Sequence, residues 1–229
     1  MRSIKNIMYN IPRPIQFLAV IPLTFGSLLG PLDNQNLSNS ENLLAYQEMS
    51  LDNRYADKFV NEVFKKNILL NLAYLNGQVT GAKDINWDQI SKPFKYEFKL
   101  APNSTFAFHD SVADKYKDSL VKTTNAHFNA AEGFRTDGYL FGDGVCHLAS
   151  LLYWVAKGAN LETKAPTNHD FANIPDIPRE YGVSIYSNPY SKTSNAQQNL
   201  YITNNKNKPV AFKFEYQDNK IKVSIVELE

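Results

Sequence analysis

NLYITNNKNKPVAFKFEYQDNKIKVSIVELE, residues 199–229, is the stretch that decides the fold class. Three of its segments, residues 200–205, 209–217 and 220–228, are rich in the β-branched and aromatic residues that strands prefer. Asp218 and Asn219 separate the last two segments, and such a pair is typical of a two-residue hairpin turn. The stretch therefore predicts two or three antiparallel strands.

Further strands are predicted upstream. In residues 94–100 an apolar side chain alternates with Lys or Glu, which indicates a half-buried strand. Residues 101–104 (APNS) form a turn, and residues 105–108 (TFAF) follow as a second apolar segment. Residues 114–129 are ambiguous, with a helix as one possibility.

Two helices complete the predicted fold. Residues 147–159 carry the buried stripe of a helix, formed by Leu148, Leu151, Leu152 and Val155. An amphipathic pattern also begins near Leu51, with Asp52 as a possible N-cap, and ends at residues 76–77. We expect an α+β fold in one domain, with an antiparallel sheet, a helix that begins at a glycine-rich loop around the cysteine, and an N-terminal helical segment.

The N-terminal residues predict export. Residues 1–14 carry three basic residues and no acidic one, and an almost wholly apolar run follows at residues 15–32. This pattern is typical of a signal sequence or an N-terminal membrane anchor over residues 1–32, and a buried element of the domain is the alternative. Residues 33–50 are rich in Asn and Ser and are predicted to be a linker, with a short helix over residues 41–49 capped by Ser38 or Ser40. The domain would then span residues 51–229.

Composition narrows the function classes. The 229 residues include 24 Lys and Arg and 23 Asp and Glu, a balance that argues against nucleic acid as a partner. The single cysteine excludes an internal disulfide and a multi-cysteine metal site, and we expect no metal or cofactor. The 14 Phe and 13 Tyr fit either a β-rich core or a groove with aromatic walls.

The single cysteine, Cys146, follows the turn Gly142-Asp143-Gly144 at the start of the predicted helix. A helix N-terminus favours an anion, so we expect the pKa of this thiol to be lowered, whereas the neighbouring carboxylate of Asp143 would raise it. Glycines let a substrate backbone approach, and nearby N–H groups can bind an oxyanion. These features suit thiol-dependent acyl transfer, but a lone cysteine beside an apolar helix is more often an inert core residue.

A nucleophilic thiol needs a base, and four histidines are available: His109, His127, His147 and His169. We expect His169, because a strand returning after the helix would pass the helix start, with Asp170, Asp176 or Glu180 to orient its ring. His147 is adjacent to the cysteine on the helix and is poorly placed to take its proton. A metal site formed by Cys146, His147 and His169 is the less favoured alternative, since adjacent Cys and His make a poor chelate.

At these residues the chain resembles the VanW family, from about Asn67 to the C-terminus. The matching segments, in order, are residues 102–108 (PNSTFAF), 142–153 (GDGVCHLASLLY), 157–161 (KGANL), 168–170 (NHD), 178–180 (PRE) and 204–209 (NNKNKP). The family has Gly where this chain has Asp143, Gln where it has His147, and Ser-Thr where it has Ala149 and Ser150. An Asp is usual in the family at Glu180.

Some VanW proteins are cysteine L,D-transpeptidases that cross-link peptidoglycan. The resemblance implies an exported, cell-wall-modifying enzyme with a VanW-like domain at residues 51–229, Cys146 as nucleophile, His169 as base and Glu180 as the orienting acid. The residues that we expect to bind substrate are Gly142, Asp143, Gly144, His147, Asp170 and Arg179, and the expected partners are peptidoglycan stem peptides and, through residues 1–32, a membrane. The alternatives are a non-catalytic cell-wall peptide-binding module and a cysteine carboxypeptidase or peptidase that uses the same Cys-His pair; the oligomeric state stays open.

Overall fold

The structure, a computed structural model, describes residues 41–229 and confirms the α+β class. These residues fall within one compact unit. In chain order the elements are β1 (Asn42–Ser50), α1 (Lys58–Leu75), α2 (Trp87–Ile90), β2 (Phe94–Leu100), β3 (Thr105–Ala107), β4 (Leu120–Lys122), α3 (Val145–Gly158), β5 (Glu162–Lys164), α4 (Lys192–Gln197), β6 (Tyr201–Thr203), β7 (Val210–Gln217) and β8 (Lys220–Glu227). Short 3-10 turns lie at Ala82–Asp84, Asp114–Tyr116, Ala130–Glu132 and Arg179–Tyr181.

The main sheet is antiparallel, with strand order β1-β8-β7-β2. Strands β7 and β8 form the predicted hairpin, in which Asp218 and Asn219 both have positive φ (51° and 56°). Positive φ at both central residues belongs to the turn whose twist matches that of the strands it joins. Strand β2 pairs with β7, and Phe98 stacks on its partner Phe212 with ring centroids 4.9 Å apart.

Strand β1 corrects the prediction for residues 33–50. Residues 42–50 are neither a linker nor a helix: they form an edge strand that pairs with β8, and Met49 is buried. A nine-residue segment that mixes apolar and polar residues fits a helix or a strand about equally well, and here pairing with β8 decides between them. Residues 33–40 and the predicted signal or anchor at residues 1–32 lie outside the described residues.

A second, smaller sheet has the order β4-β3-β6-β5, and its β3–β4 pair is parallel. The possible helix at residues 114–129 is wrong apart from a single 3-10 turn at Asp114–Tyr116. Asn125 and Phe128 have positive φ (58° and 61°), and residues with this backbone conformation cannot continue a right-handed helix.

Helices α1 and α3 fill the core. Helix α1 begins at Lys58, later than predicted, because Asp57 rather than Asp52 caps it by accepting the N–H groups of Phe59 and Val60 at 2.9 and 3.1 Å. Helix α3 has all four predicted stripe residues fully buried, and it packs against α1, β1 and β8. Among residues 41–229, no helix combines the length and the apolar character that crossing a bilayer requires.

Candidate functional site

The turn at residues 142–144 delivers Cys146 to the first turn of α3, as the sequence predicts. Gly142 and Gly144 have positive φ (85° and 97°). A Cβ at Gly144 would lie 2.8 Å from the Phe64 carbonyl oxygen, so α1 approaches the turn as closely as only glycine allows. The Asn67 side chain on α1 donates to the Asp143 carbonyl at 2.9 Å. The glycines therefore dock the start of α3 against α1.

The Cys146 thiol is half-buried and contacts backbone downstream of α3. The Ile185 N–H donates to Sγ at 3.4 Å, and the Ile185 carbonyl oxygen lies 3.6 Å from it. Burial raises the pKa of the thiol to about 11, the Ile185 N–H partly opposes this, and the charge of Asp143 adds to it. The expected lowering of the pKa is therefore wrong, because desolvation outweighs a helix-terminus effect of about 0.3–1 kcal/mol.

Cys146 lines a cavity of about 320 Å³ together with His147 and His169. Five large side chains around this cavity are exposed and are named here the apolar rim: Tyr139, Leu140, Phe141, Phe171 and Tyr186. Exposed apolar groups gathered around a concavity are typical of a binding site. Gly142, Asp143 and Gly144 also line it, so five of the predicted site residues besides Cys146 meet at one place.

His169 lies on a short ribbon that passes the start of α3. Its N–H donates to the Gly182 carbonyl at 3.2 Å, and Ile185, three residues further along, contacts the thiol. Its Nδ1 lies 3.1 Å from the Ala172 carbonyl, which can only accept, so Nδ1 carries the proton and Nε2 is free to act as a base. Burial lowers the pKa of His169, so the ring is neutral at neutral pH. The thiol is not hydrogen-bonded to this ring; its partners are the N–H and carbonyl of Ile185.

Within residues 41–229, no carboxylate is hydrogen-bonded to the His169 ring. The Ala172 carbonyl takes the position on Nδ1 that Glu180, Asp170 or Asp176 was expected to occupy. Arg179 and Glu180 lie exposed in a 3-10 turn, where Arg179 donates to the Asp170 carbonyl at 2.7 Å. Neither these two residues nor Asp170 lines the cavity, so their roles stay predictions.

His147 is 5% exposed, and its ring packs 5.1 Å from Phe64 and 6.3 Å from His169, measured between centroids. Burial first, then the charge of Arg54 and the electrostatic coupling to the His169 ring, lower the pKa of His147 to about 3, so it is neutral. Its Nδ1 is buried without a hydrogen-bond partner among the described residues. A buried nitrogen without a hydrogen bond destabilises the folded state. Nδ1 of His147 can therefore still form one hydrogen bond.

His127 also lines the cavity, and sequence reasoning assigned it no role. Its Nδ1 lies 2.7 Å from Glu132 and its Nε2 3.1 Å from Asp110. Burial opposes protonation, but the hydrogen bond to Glu132 and the two carboxylate charges raise the pKa of His127 overall. With both nitrogens bound to carboxylates it is a cation and not a base. Only the fold brings Asp110 to it, so no local motif could have identified the cluster.

His109 is fully buried and bonds the Gln198 carbonyl at 3.0 Å, which makes it a structural residue rather than a surface one. Among residues 41–229, no group of three His, Cys, Asp or Glu side chains is arranged to hold a metal ion.

Comparison with known proteins identifies a family. No curated protein and no solved structure matches the chain. The family described as VanW like protein matches residues 96–226, a span that begins in β2, ends in β8 and contains Cys146, His147 and His169. Since this span is more than half of the chain, the protein belongs to the VanW-like family.

Proposed function

We propose that the protein is an extracytoplasmic enzyme that transfers acyl groups between peptidoglycan stem peptides through a thioester on Cys146, as an L,D-transpeptidase does. One observation carries the proposal: the chain's single cysteine lies in the first turn of α3, on a cavity that it shares with the neutral His169. Family membership associates the protein with the cell wall. The basic and then apolar residues 1–32 support a location outside the cytoplasmic membrane.

In the first half-reaction Cys146 is the nucleophile and His169 is the base. Nε2 of His169 takes the thiol proton, and the sulfur of Cys146 attacks a stem-peptide carbonyl. The Cys146 N–H has no acceptor other than its own thiol among the described residues, so it is available to the oxyanion. The C–N bond to the terminal D-amino acid then breaks, and His169 returns the proton to the leaving amine, which leaves a thioester. Because the pKa of the free thiol is about 11, this proton transfer accompanies substrate binding instead of preceding it.

In the second half-reaction an amine of a neighbouring stem attacks the thioester. The new amide C–N bond forms, the C–S bond breaks, and the sulfur regains its proton. If water attacks instead, the same residues act as a carboxypeptidase.

The test is to incubate the full-length protein with a disaccharide-tetrapeptide and to measure the masses of the protein and of the peptide products by mass spectrometry. We expect a covalent adduct that equals the substrate minus its terminal D-amino acid, and a cross-linked dimer. Because the chain has one cysteine, alkylation with iodoacetamide should abolish both products as fully as Cys146→Ala does. Formation of the cross-linked peptide dimer by Cys146→Ala protein would contradict the proposal.

His169→Gln tests the base separately. Loss of a general base typically costs about 100-fold or more in rate, so we expect adduct formation to slow by at least that factor while the melting temperature stays within a few degrees. If His169→Gln protein forms the adduct at a rate within roughly fivefold of the wild-type rate, His169 is not the general base.

The second candidate function is a non-catalytic peptide-binding module, and the raised thiol pKa is the observation that favours it. Iodoacetamide labelling across pH measures this pKa directly. We expect the labelling rate of the free protein to rise about tenfold per pH unit from pH 7 to 10, since only the thiolate reacts. The binding module requires, in addition, that stem peptide protects the thiol and never forms an adduct. A labelling plateau near pH 8.5 would contradict the packing of the sulfur on Ile185.

A further inference from the structure

The cavity beside Cys146 is negatively charged. Its lining includes the carboxylate of Asp143 and no Lys or Arg. The cation His127 is already bound by Glu132 and Asp110, so that cluster contributes a net negative charge. His147 and His169 are neutral because burial lowers their pKa values. The charge of the described residues around this cavity therefore favours a cationic ligand group and opposes an anionic one.

Asp143 is the carboxylate closest in sequence to the thiol, and its charge acts on Cys146. Its Oδ2 accepts the Asp137 N–H at 3.0 Å. Burial, and then the charge of the Asp137 carboxylate and a side-chain hydrogen bond with it, raise the pKa of Asp143 to about 6 against the Asp137 N–H. Among the described residues that line the cavity, Asp143 thus has no Lys or Arg to balance its charge.

His147 supplies an independent sign that a polar ligand group enters here. It lines the same cavity, is 5% exposed, and has an Nδ1 without a partner in the part of the chain that the structure describes. A nitrogen so deeply buried is almost always hydrogen-bonded, and we infer that a polar ligand group in this cavity is its partner.

We propose that Asp143 binds the primary ammonium group of the acceptor, at the end of an aliphatic chain, in the cavity that His147 also lines. The apolar rim, with Phe141 next to the glycine turn, suits the methylene groups of such a chain. The identity of the acceptor rests on the proposed acyl transfer, whereas recognition of the ammonium group rests on the charges of the residues around the cavity.

The position of this subsite also suits the second half-reaction. An ammonium group held by Asp143 lies beside the thioester sulfur. Once it gives one proton to Nε2 of His169, the neutral amine attacks the thioester carbonyl, the C–N bond forms, the C–S bond breaks, and the sulfur takes the proton from the new amide nitrogen. The carboxylate thereby selects an acceptor that carries its nucleophile as a side-chain amine.

Calorimetry on full-length Cys146→Ala protein tests this without catalysis. The probes are the peptide N-acetyl-L-Ala-γ-D-Glu-L-Lys-D-Ala and the same peptide acetylated on the lysine Nε. A charge-assisted hydrogen bond contributes about 1.5–3 kcal/mol, which is roughly 10- to 100-fold in affinity, so the free amine should bind at least ~10-fold more tightly.

Introducing Asp143→Asn into the Cys146→Ala protein should reduce the preference for the free amine over the acetylated peptide to about threefold or less. Asp118→Asn is the matched control, since Asp118 is an exposed carboxylate that does not line the cavity, and it should keep the preference. Equal affinity for the two peptides, an undiminished preference in Asp143→Asn, or no binding of either peptide would overturn the proposal. Failure of the proposed enzyme function gives a different result: the amine preference persists, but wild-type protein never forms an adduct.

Discussion

Asp143 is a half-buried carboxylate whose charge finds no cation among the described residues that contact it. Its pKa is raised from 3.8 to about 6, first by burial and also by the charge of Asp137, against the Asp137 N–H. A raised folded-state pKa means that the folded protein binds this proton more tightly than the unfolded chain does. The resulting stabilisation is complete below about pH 4 and is lost as the pH rises through about 6.

Asp143→Asn should therefore stabilise the protein at pH 7 and not at pH 4. The amide keeps an oxygen for the Asp137 N–H and removes the buried charge, so we expect a rise in melting temperature of about 2–4 °C at pH 7, corresponding to about 1 kcal/mol. Thermal unfolding of both proteins at the two pH values measures this. An equal difference at pH 4 and pH 7 would show that the charge is not the cause.

At the scale of the elements, the junction between the glycine turn and α3 determines where the thiol lies. Gly144 is the N-cap of α3, has φ of 97°, and leaves no space for a Cβ against Phe64. Gly144→Ala should therefore lower the free energy of unfolding by about 2–4 kcal/mol, because the backbone must move and the new side chain adopts a left-handed conformation.

Gly81→Ala is the matched control for that substitution. Gly81 has an extended φ of −174°, and no atom lies within 4 Å of the place a Cβ would take. We expect its effect to stay within about 0.5 kcal/mol when the free energies of unfolding of both variants are measured by urea titration. Equal effects of the two substitutions would mean that α1 does not constrain the turn.

At the scale of the whole molecule, Arg54 ties the N-terminal part of the described chain to the segment that follows His169. Its side chain is fully buried, and it donates to Asp176 at 2.5 Å and to the Pro175 carbonyl at 3.1 Å. Asp176 also accepts the Ser50 N–H at the end of β1. The Arg54 side chain therefore contacts β1 through Met49 and the loop after His169 through Pro175 and Asp176. Its charge also lowers the pKa of His147 in α3.

Arg54→Met should lower the free energy of unfolding by about 2–4 kcal/mol and make residues 170–178 more susceptible to protease. The reason is that Asp176 and the Pro175 carbonyl lose a buried partner. Asp114→Asn breaks an exposed ion pair with Lys117 of similar length, 2.6 Å, and should leave the free energy of unfolding unchanged. A comparable effect in both variants would refute a special role for the pair formed by the buried Arg54 side chain.

Local patterns were sufficient for most elements. The sequence by itself determined three features, because each depends on residues that are close together in the chain. They are the alternation of Phe94, Tyr96 and Phe98 in β2, the hairpin at Asp218-Asn219, and the buried stripe of α3. The position of Cys146 at a helix start followed from the glycine turn for the same reason. The N-terminal pattern and the roles of Arg179 and Glu180 stay predictions.

Only the tertiary structure decided the rest, because desolvation and hydrogen bonding depend on groups distant in sequence. Pairing with β8 made residues 42–50 a strand. Packing on Ile185 raised the pKa of the Cys146 thiol that the helix start alone would have lowered, and the Ala172 carbonyl took the place of a carboxylate on His169. Asp110 and Glu132 turned His127 into a bound cation. Periodicity identifies which residues face inward, whereas the electrostatics of the site depend on what the fold places beside them.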